Sequence, residues 1–296
     1  MITPYPHQIQ KAEECWNILK STGYVYLAGK PRSGKTLTSL LIAETSDKIK
    51  SVLILTKKAA IPGWEKFLHG MSLSHKYHVT NYEQVGKWNT LKRKAELKLS
   101  PSDYDLVIID ESHNLGTLGK PSGRFLAIRS LCYDLPHIHL SGTAIVESPC
   151  SIYHQMSISK YRPFNHKNFY DFHREFGEPY YIKAAGREIN QYDKAKDTLL
   201  PIINKFTVYM TQEDAGISKD VQAVDKIHYV ELKESTKKLY NTLQTDCIVE
   251  LEDELGNTAT IVCDTVMRLR VVLHQIESGI FKVGDNDDVK ITYNMG

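Results

Sequence analysis

Residues 24–45 constrain the fold more than any other stretch of this chain. An apolar run, Tyr24-Val-Tyr-Leu-Ala28, leads directly into Gly29, Lys30, Pro31, Arg32, Ser33, Gly34, Lys35 and Thr36, and a helical pattern over Leu37–Ala43 follows. The eight residues fit the spacing G-x-x-x-x-G-K-[ST] in the strand–loop–helix setting that gives the motif its meaning. Glycines let successive backbone N–H groups turn inward, where a side chain would block approach. The N-terminus of the following helix adds the positive end of its dipole. The loop is therefore expected to cradle the phosphates of a nucleotide. Lys35 is placed for the β- and γ-phosphates, and the Thr36 hydroxyl for Mg²⁺.

The rest of the first half repeats this alternation, the pattern of an α/β fold with a mainly parallel sheet flanked by helices. Candidate strands are Tyr24–Ala28, Val52–Leu55, His78–Thr80, Leu106–Ile109 and Ile138–Leu140. Helical patterns fall around Lys35–Thr45, Ile61–Leu68, Lys87–Leu99 and Arg124–Tyr133. The third of these is basic, with Trp88, Leu91, Ala95 and Leu99 along one expected inner face, and reads as a solvated amphipathic helix. Beyond about residue 148 the texture changes to aromatic-rich helical patterns (Tyr153–Phe176), expected to be core. Strand-like runs at Phe206–Met210 and Ile227–Leu232 follow, then helical patterns at Ser235–Gln244 and Thr265–Glu277.

Asp105-Leu-Val-Ile-Ile-Asp110-Glu111-Ser112-His113 is a buried-strand pattern ending in two carboxylates. Alone it says little, because acids often close strands. Downstream of a phosphate loop it assigns Asp110 to Mg²⁺, opposite Thr36, and Glu111 to polarising the water that attacks the γ-phosphate. Lys35, Asp110 and Glu111 are thus the catalytic candidates, and ATP with Mg²⁺ the expected cofactors.

Composition excludes little. With 42% hydrophobic and 24% charged residues over 296 positions, the chain can bury a sizeable core, and its formal charge of +2 is too small to identify a partner. Five scattered cysteines without a Cys-x-x-Cys pair fit reduced thiols. Cys132, His137, His139 and Cys150 lack zinc-ligand spacing, since the two histidines alternate with Ile138 and Leu140 as a strand would. No apolar run approaches the ~20 residues that span a bilayer. The expectation is a soluble, cytoplasmic protein without a membrane partner.

With Gly29–Thr36 and Asp110-Glu-Ser-His113 together, the chain resembles the N-terminal RecA-like ATPase lobe of superfamily 2 helicases. Further segments resemble the Swi/Snf-like branch. Pro4-Tyr-Pro-His-Gln8 is similar to its adenine-reading segment, which makes Gln8 a nucleotide contact. Lys57 and Lys58 with the Trp64 helix, and Thr80 and Asn81 ahead of Tyr82-Glu83, are similar to segments that contact the nucleic-acid backbone. A solvated turn and an asparagine-closed turn are their plain alternatives. Ser141-Gly-Thr143-Ala144 is similar to the motif coupling ATP state to strand grip, with Ala144 where the family usually has proline. His113 is expected to bridge toward Ser141 or Thr143, or else to lie exposed. The filling of the phosphate loop favours a bacterial or phage-type relative.

The resemblance implies a lobe core over 1–158, a lobe-closing helical extension with return strands over 159–284, and the start of a linker at 285–296. It also implies a partner, DNA gripped as a duplex through its backbone without sequence specificity, and a second RecA-like lobe. After Arg187 the only arginines are Arg268 and Arg270, and no Gln-x-x-x-Arg-x-x-Arg-like segment exists. The chain therefore reads as half of a motor, expected to bind nucleotide and turn it over barely. An RNA helicase lobe and a non-catalytic scaffold are the competing readings.

Overall fold

Val52–Leu55 and Leu106–Ile109 are apolar at every position, which suits strands covered on both faces. The computed structural model describes residues 3–142, 148–184, 187–216, 231–252, 258–263, 266–278, 280–283 and 291–294. It opens with helix α1 (Pro6–Thr22), strand β1 (Tyr24–Gly29), α2 (Lys35–Glu44), β2 (Ser51–Thr56), α3 (Ile61–His69) and β3 (Lys76–Asn81). A hairpin of β4 (Gly86–Asn89) and β5 (Lys94–Leu97) precedes β6 (Leu106–Asp110), α4 (Gly123–Cys132) and β7 (His137–Ser141). Then come α5 (Ile152–Met156), α6 (Phe169–Phe176), β8 (Tyr180–Ala184), β9 (Arg187–Gln191), α7 (Leu200–Asn204) and β10 (Thr207–Met210). The last elements are α8 (Glu234–Asp246), β11 (Ile248–Glu252), β12 (Thr258–Val262), α9 (Val266–Glu277), β13 (Ile280–Val283) and β14 (Ile291–Asn294).

Six strands form one parallel sheet in the order β10-β1-β7-β6-β2-β3. Each strand sends alternate residues to opposite layers, as the pleat requires. Val25, Leu27, Val52, Ile54, Leu106 and Ile108 join Ala12, Cys15, Leu40 and Trp64 in a core under α1, α2 and α3. Leu53, Leu55, Val107 and Ile109 pack on the other face against Phe125, Ile128 and Leu131 of α4. Tyr24 and Tyr26 meet the aromatic cluster of Tyr153, Phe164, Phe169, Phe172 and Phe176, which is core as expected.

Alternation along β7 also buries His137 and His139 completely, with rings stacked 5.7 Å apart. Nε2 of His137 lies 2.8 Å from the carbonyl of Cys132.

The basic stretch at 87–99 corrects the sequence reading: it is a hairpin, not a helix. Trp88 pairs with Ala95 and Lys87 with Glu96, so the inner positions recur every second residue. The hairpin packs on α4, while Leu91, assigned to an inner helical face, stands 98% exposed at the turn. Asn89 Oδ1 accepts the Lys92 N–H at 3.0 Å, and Arg93 closes the turn at φ 48°.

The chain divides into two compact units, Met1–Gln222 and Ala223–Gly296. The second has its own small core of Leu243, Ile261, Cys263, Val272, Leu273 and Ile276. The strand expected at Ile227–Leu232 falls mostly outside the described residues, and within 285–296 the structure describes β14 paired antiparallel with β13. No helix among the described residues is long and apolar enough to cross a membrane.

Candidate functional site

In a parallel sheet, ligands collect at the carboxyl ends of the strands, and the loops leaving β1, β2 and β6 meet there. A cleft of about 700 Å³ is lined by Tyr5, Gln8, Arg32, Gly34, Lys35, Thr36, Trp64, Phe67 and Asp110, among others. Residues from both motifs, Lys35 and Thr36 with Asp110, therefore face one space.

The phosphate loop turns where glycine is required. Gly34, at φ 92°, caps α2, and a Cβ there would stand 1.9 Å from Gln8 Nε2; one on Gly29 would stand 2.4 Å from the Lys35 side chain. Arg32 also holds a left-handed backbone, at φ 66°, a conformation uncommon for a non-glycine residue. Strand β10 braces the loop, since the Lys30 N–H donates to the Met210 carbonyl at 2.9 Å. Ser33 is buried and its Oγ has no hydrogen-bond partner.

Lys35 Nζ donates to the Gly29 carbonyl at 2.7 Å. Burial draws its ammonium below the usual lysine range, while the Glu111 and Asp110 carboxylates pull it back up.

Asp110 is held by residues far away in sequence. Its Oδ2 accepts from Thr56 Oγ1 at 2.8 Å and from the Trp64 indole N–H at 2.9 Å, and its carbonyl accepts from the Tyr82 hydroxyl. Both side-chain bonds fall on one oxygen, so the carboxylate is oriented with Oδ1 outside that pair of bonds. Glu111 takes φ 51° as the chain leaves β6, a left-handed backbone uncommon for a non-glycine residue. His113 Nδ1 lies 3.2 Å from Glu111 Oε2 and 2.9 Å from Ser141 Oγ. Thr143 lies outside the described residues. Behind this pair, Ser112 Oγ donates to the Tyr26 hydroxyl, which donates to Gln155 Oε1 at 2.8 Å. This buried relay ties the turn after β6 to β1 and α5.

Gln8 is buried at the rim, where its Oε1 accepts the Tyr5 N–H at 2.9 Å and its amide nitrogen approaches Gly34. Lys57 and Lys58 are exposed past β2. Thr80 and Asn81 are buried, and Asn81 Oδ1 accepts from the Glu83 and Gln84 N–H groups. Asn81 therefore closes a turn.

A family model described as SNF2-related domain matches residues 26–278. The chain belongs to the SNF2-related domain family. This SNF2-related domain is 26% identical over 274 residues to the uncharacterized ATP-dependent helicase YqhH of Bacillus subtilis, covering 88% of this chain and 44% of that protein. Two solved structures share its fold: the SWI2/SNF2 ATPase core of Sulfolobus solfataricus in complex with dsDNA, and the same core domain alone. Both are 19% identical with a TM-score of 0.52 over 83% of this chain, covering 53% and 52% of theirs. The chain thus spans about half the length of the relatives it matches. The Swi/Snf-like RecA-type fold expected from the motifs is the fold observed, and the family implies nucleotide binding.

Sequence reasoning missed Thr56 as a site residue and gave Trp64, Phe67 and Tyr82 another task, contact with a nucleic-acid backbone. Thr56 ends a strand beside β6, and that placement was the signal that could have found it.

Proposed function

We infer that this chain is the ATP-binding lobe of a DNA-dependent ATPase of translocase type. Mg-ATP hydrolysis would drive movement on duplex DNA once a second RecA-like lobe faces the cleft. The observation that carries this reading is the convergence of Lys35, Thr36 and the oriented Asp110 carboxylate on one cleft at the sheet's carboxyl edge.

The residues fit a triphosphate. The glycine loop has no room for a Cβ at Gly29 or Gly34, and Ser33 Oγ is a buried polar atom without a partner. The Lys35 ammonium rests on the Gly29 carbonyl, a bond it can exchange for phosphate oxygens. Thr36 and Asp110 would hold Mg²⁺, which supplies charge neutralisation at the β- and γ-phosphates. Glu111, which leaves the strand with a left-handed backbone and has His113 beside its Oε2, would accept a proton from water. His113 sits between Glu111 and Ser141 and joins the acidic pair to β7. Gln8 closes the cleft on the base side.

DNA as partner is supported by the Sulfolobus core, whose structure contains dsDNA. Lys57 and Lys58 offer backbone contacts that carry no sequence information.

The test is calorimetry with Mg-ATP. Wild type should bind at micromolar concentrations and Lys35→Ala should lose at least ten-fold, about 1.4 kcal/mol. Equal binding by both proteins, or none by wild type, would rule out the nucleotide site.

A further inference from the structure

The β4–β5 hairpin is strongly basic and does not line the nucleotide cleft. Between Lys87 and Lys98 it carries five cations (Lys87, Lys92, Arg93, Lys94 and Lys98) against one carboxylate, Glu96, in a chain whose formal charge is only +2. The hairpin register sorts these residues. Trp88, Ala95 and Leu97 take the inner positions and are partly buried, with Trp88 beside Gly123 at the start of α4. Lys87, Lys94 and Lys98 are exposed, as are Lys92 and Arg93 in the turn. Glu96 is engaged by Lys92 at 3.5 Å and by the Asn89 amide at 2.9 Å, so it offsets little of the remaining charge. Leu91 stands at the apex, almost wholly in solvent and followed directly by Lys92 and Arg93.

Exposed cations cost nothing in water, but a leucine held at the tip of a tight turn has no folding role. The turn is built to hold it there, through the Asn89 side chain and the left-handed Arg93.

We propose that this hairpin is a second grip on duplex DNA, its cations lying along the phosphates and Leu91 entering a groove. The proposal rests on the reading of the chain as a DNA-dependent motor and adds a contact separate from Lys57 and Lys58. The dimensions agree, because a two-stranded ribbon is narrow enough for the major groove, where an apolar side chain finds apolar base edges. A protein partner would be held by a buried apolar centre with few charges, and this surface offers one leucine among cations. The hairpin root also touches the catalytic motif. It begins just after Tyr82, whose hydroxyl donates to the Asp110 carbonyl, and Glu83 pairs with Arg124 of α4 at 2.8 Å.

The experiment is fluorescence anisotropy of the whole chain on a labelled duplex across 50–300 mM salt, beside Mg-ATP binding by the same proteins. Lys92→Ala/Arg93→Ala/Lys94→Ala should lower the slope of log K against log salt by about two to three, near one per phosphate contact, and weaken binding at least ten-fold at low salt. Leu91→Ser should weaken binding several-fold with the slope unchanged. Lys20→Ala/Lys48→Ala/Lys50→Ala, which removes equal charge from exposed positions at the amino end of the strands, should leave both quantities as in wild type. Wild-type slope and affinity in the hairpin triple variant, or an equal loss in the control, would overturn the hairpin alone. Absence of duplex binding by wild type, with Mg-ATP binding intact, would overturn the DNA reading and the hairpin with it.

Discussion

Asp110 shows how a single carboxylate is made specific. A free aspartate at a strand end rotates; here Thr56 and Trp64 both donate to Oδ2, which leaves one defined face for a cation. Hydrogen bonds to an ionised group contribute roughly 1.5–3 kcal/mol, and the part that orients the carboxylate should appear only when metal is present. Trp64→Phe keeps the ring's packing and removes the N–H. Affinity for ATP with Mg²⁺ should fall about ten-fold, while affinity for ATP in EDTA stays near wild type. Isothermal titration in the two buffers checks this, and an equal loss in both would assign Trp64 to the nucleotide rather than to Asp110. At this scale the sequence carried the chemistry but not its supports. The phosphate loop and acidic pair are contiguous and declare themselves, whereas Thr56 and Trp64 stand 54 and 46 residues from Asp110 and meet it only once β2 lies beside β6.

At the scale of elements, β7 carries an unusual load for a central strand, with two fully buried histidines facing Tyr24 and Tyr26. Burial pushes His137 down to about 4, against a pull upward from the Cys132 carbonyl, and pushes His139 well below the ordinary histidine range, helped by His137. Both are neutral in the folded chain. In the unfolded chain they take up protons below about pH 6.5, so the unfolded state binds more protons from there down to about pH 4. Stability is fully present above pH 6.5 and is lost as pH falls, by about 1.4 kcal/mol per unit for each histidine. Urea midpoints at pH 7 and pH 5 should differ accordingly, and His139→Leu should roughly halve the difference; an unchanged dependence would place the acid sensitivity elsewhere. The alternation that buries these rings was legible in His137-Ile-His-Leu140, as were β1, β2, β6 and α2. The hairpin at 86–97 was not. Lysine, leucine, alanine and glutamate favour helix by propensity, and the deciding term is packing of Trp88 against α4, which a local pattern does not contain.

For the whole molecule, the decisive fact is proportion, since this chain matches about half of each relative. Lys35, Thr36 and Asp110 line one cleft, and the arginine among its lining residues, Arg32, belongs to the phosphate loop itself. A cation arriving from outside is worth about 10³–10⁵ in rate where phosphoryl transfer has been dissected. On the proposed reading, binding and turnover therefore separate in this chain. Alone, it should bind Mg-ATP yet hydrolyse it near the uncatalysed rate, with no stimulation by duplex DNA. Joined to a RecA-like lobe bearing arginines, it should gain at least a thousand-fold, and Glu111→Gln should abolish that gain while leaving nucleotide binding intact. Phosphate release measured with and without duplex DNA tests each step. DNA-stimulated turnover by this chain alone, lost on Glu111→Gln, would mean that its own residues complete the site and that the second lobe serves movement rather than chemistry.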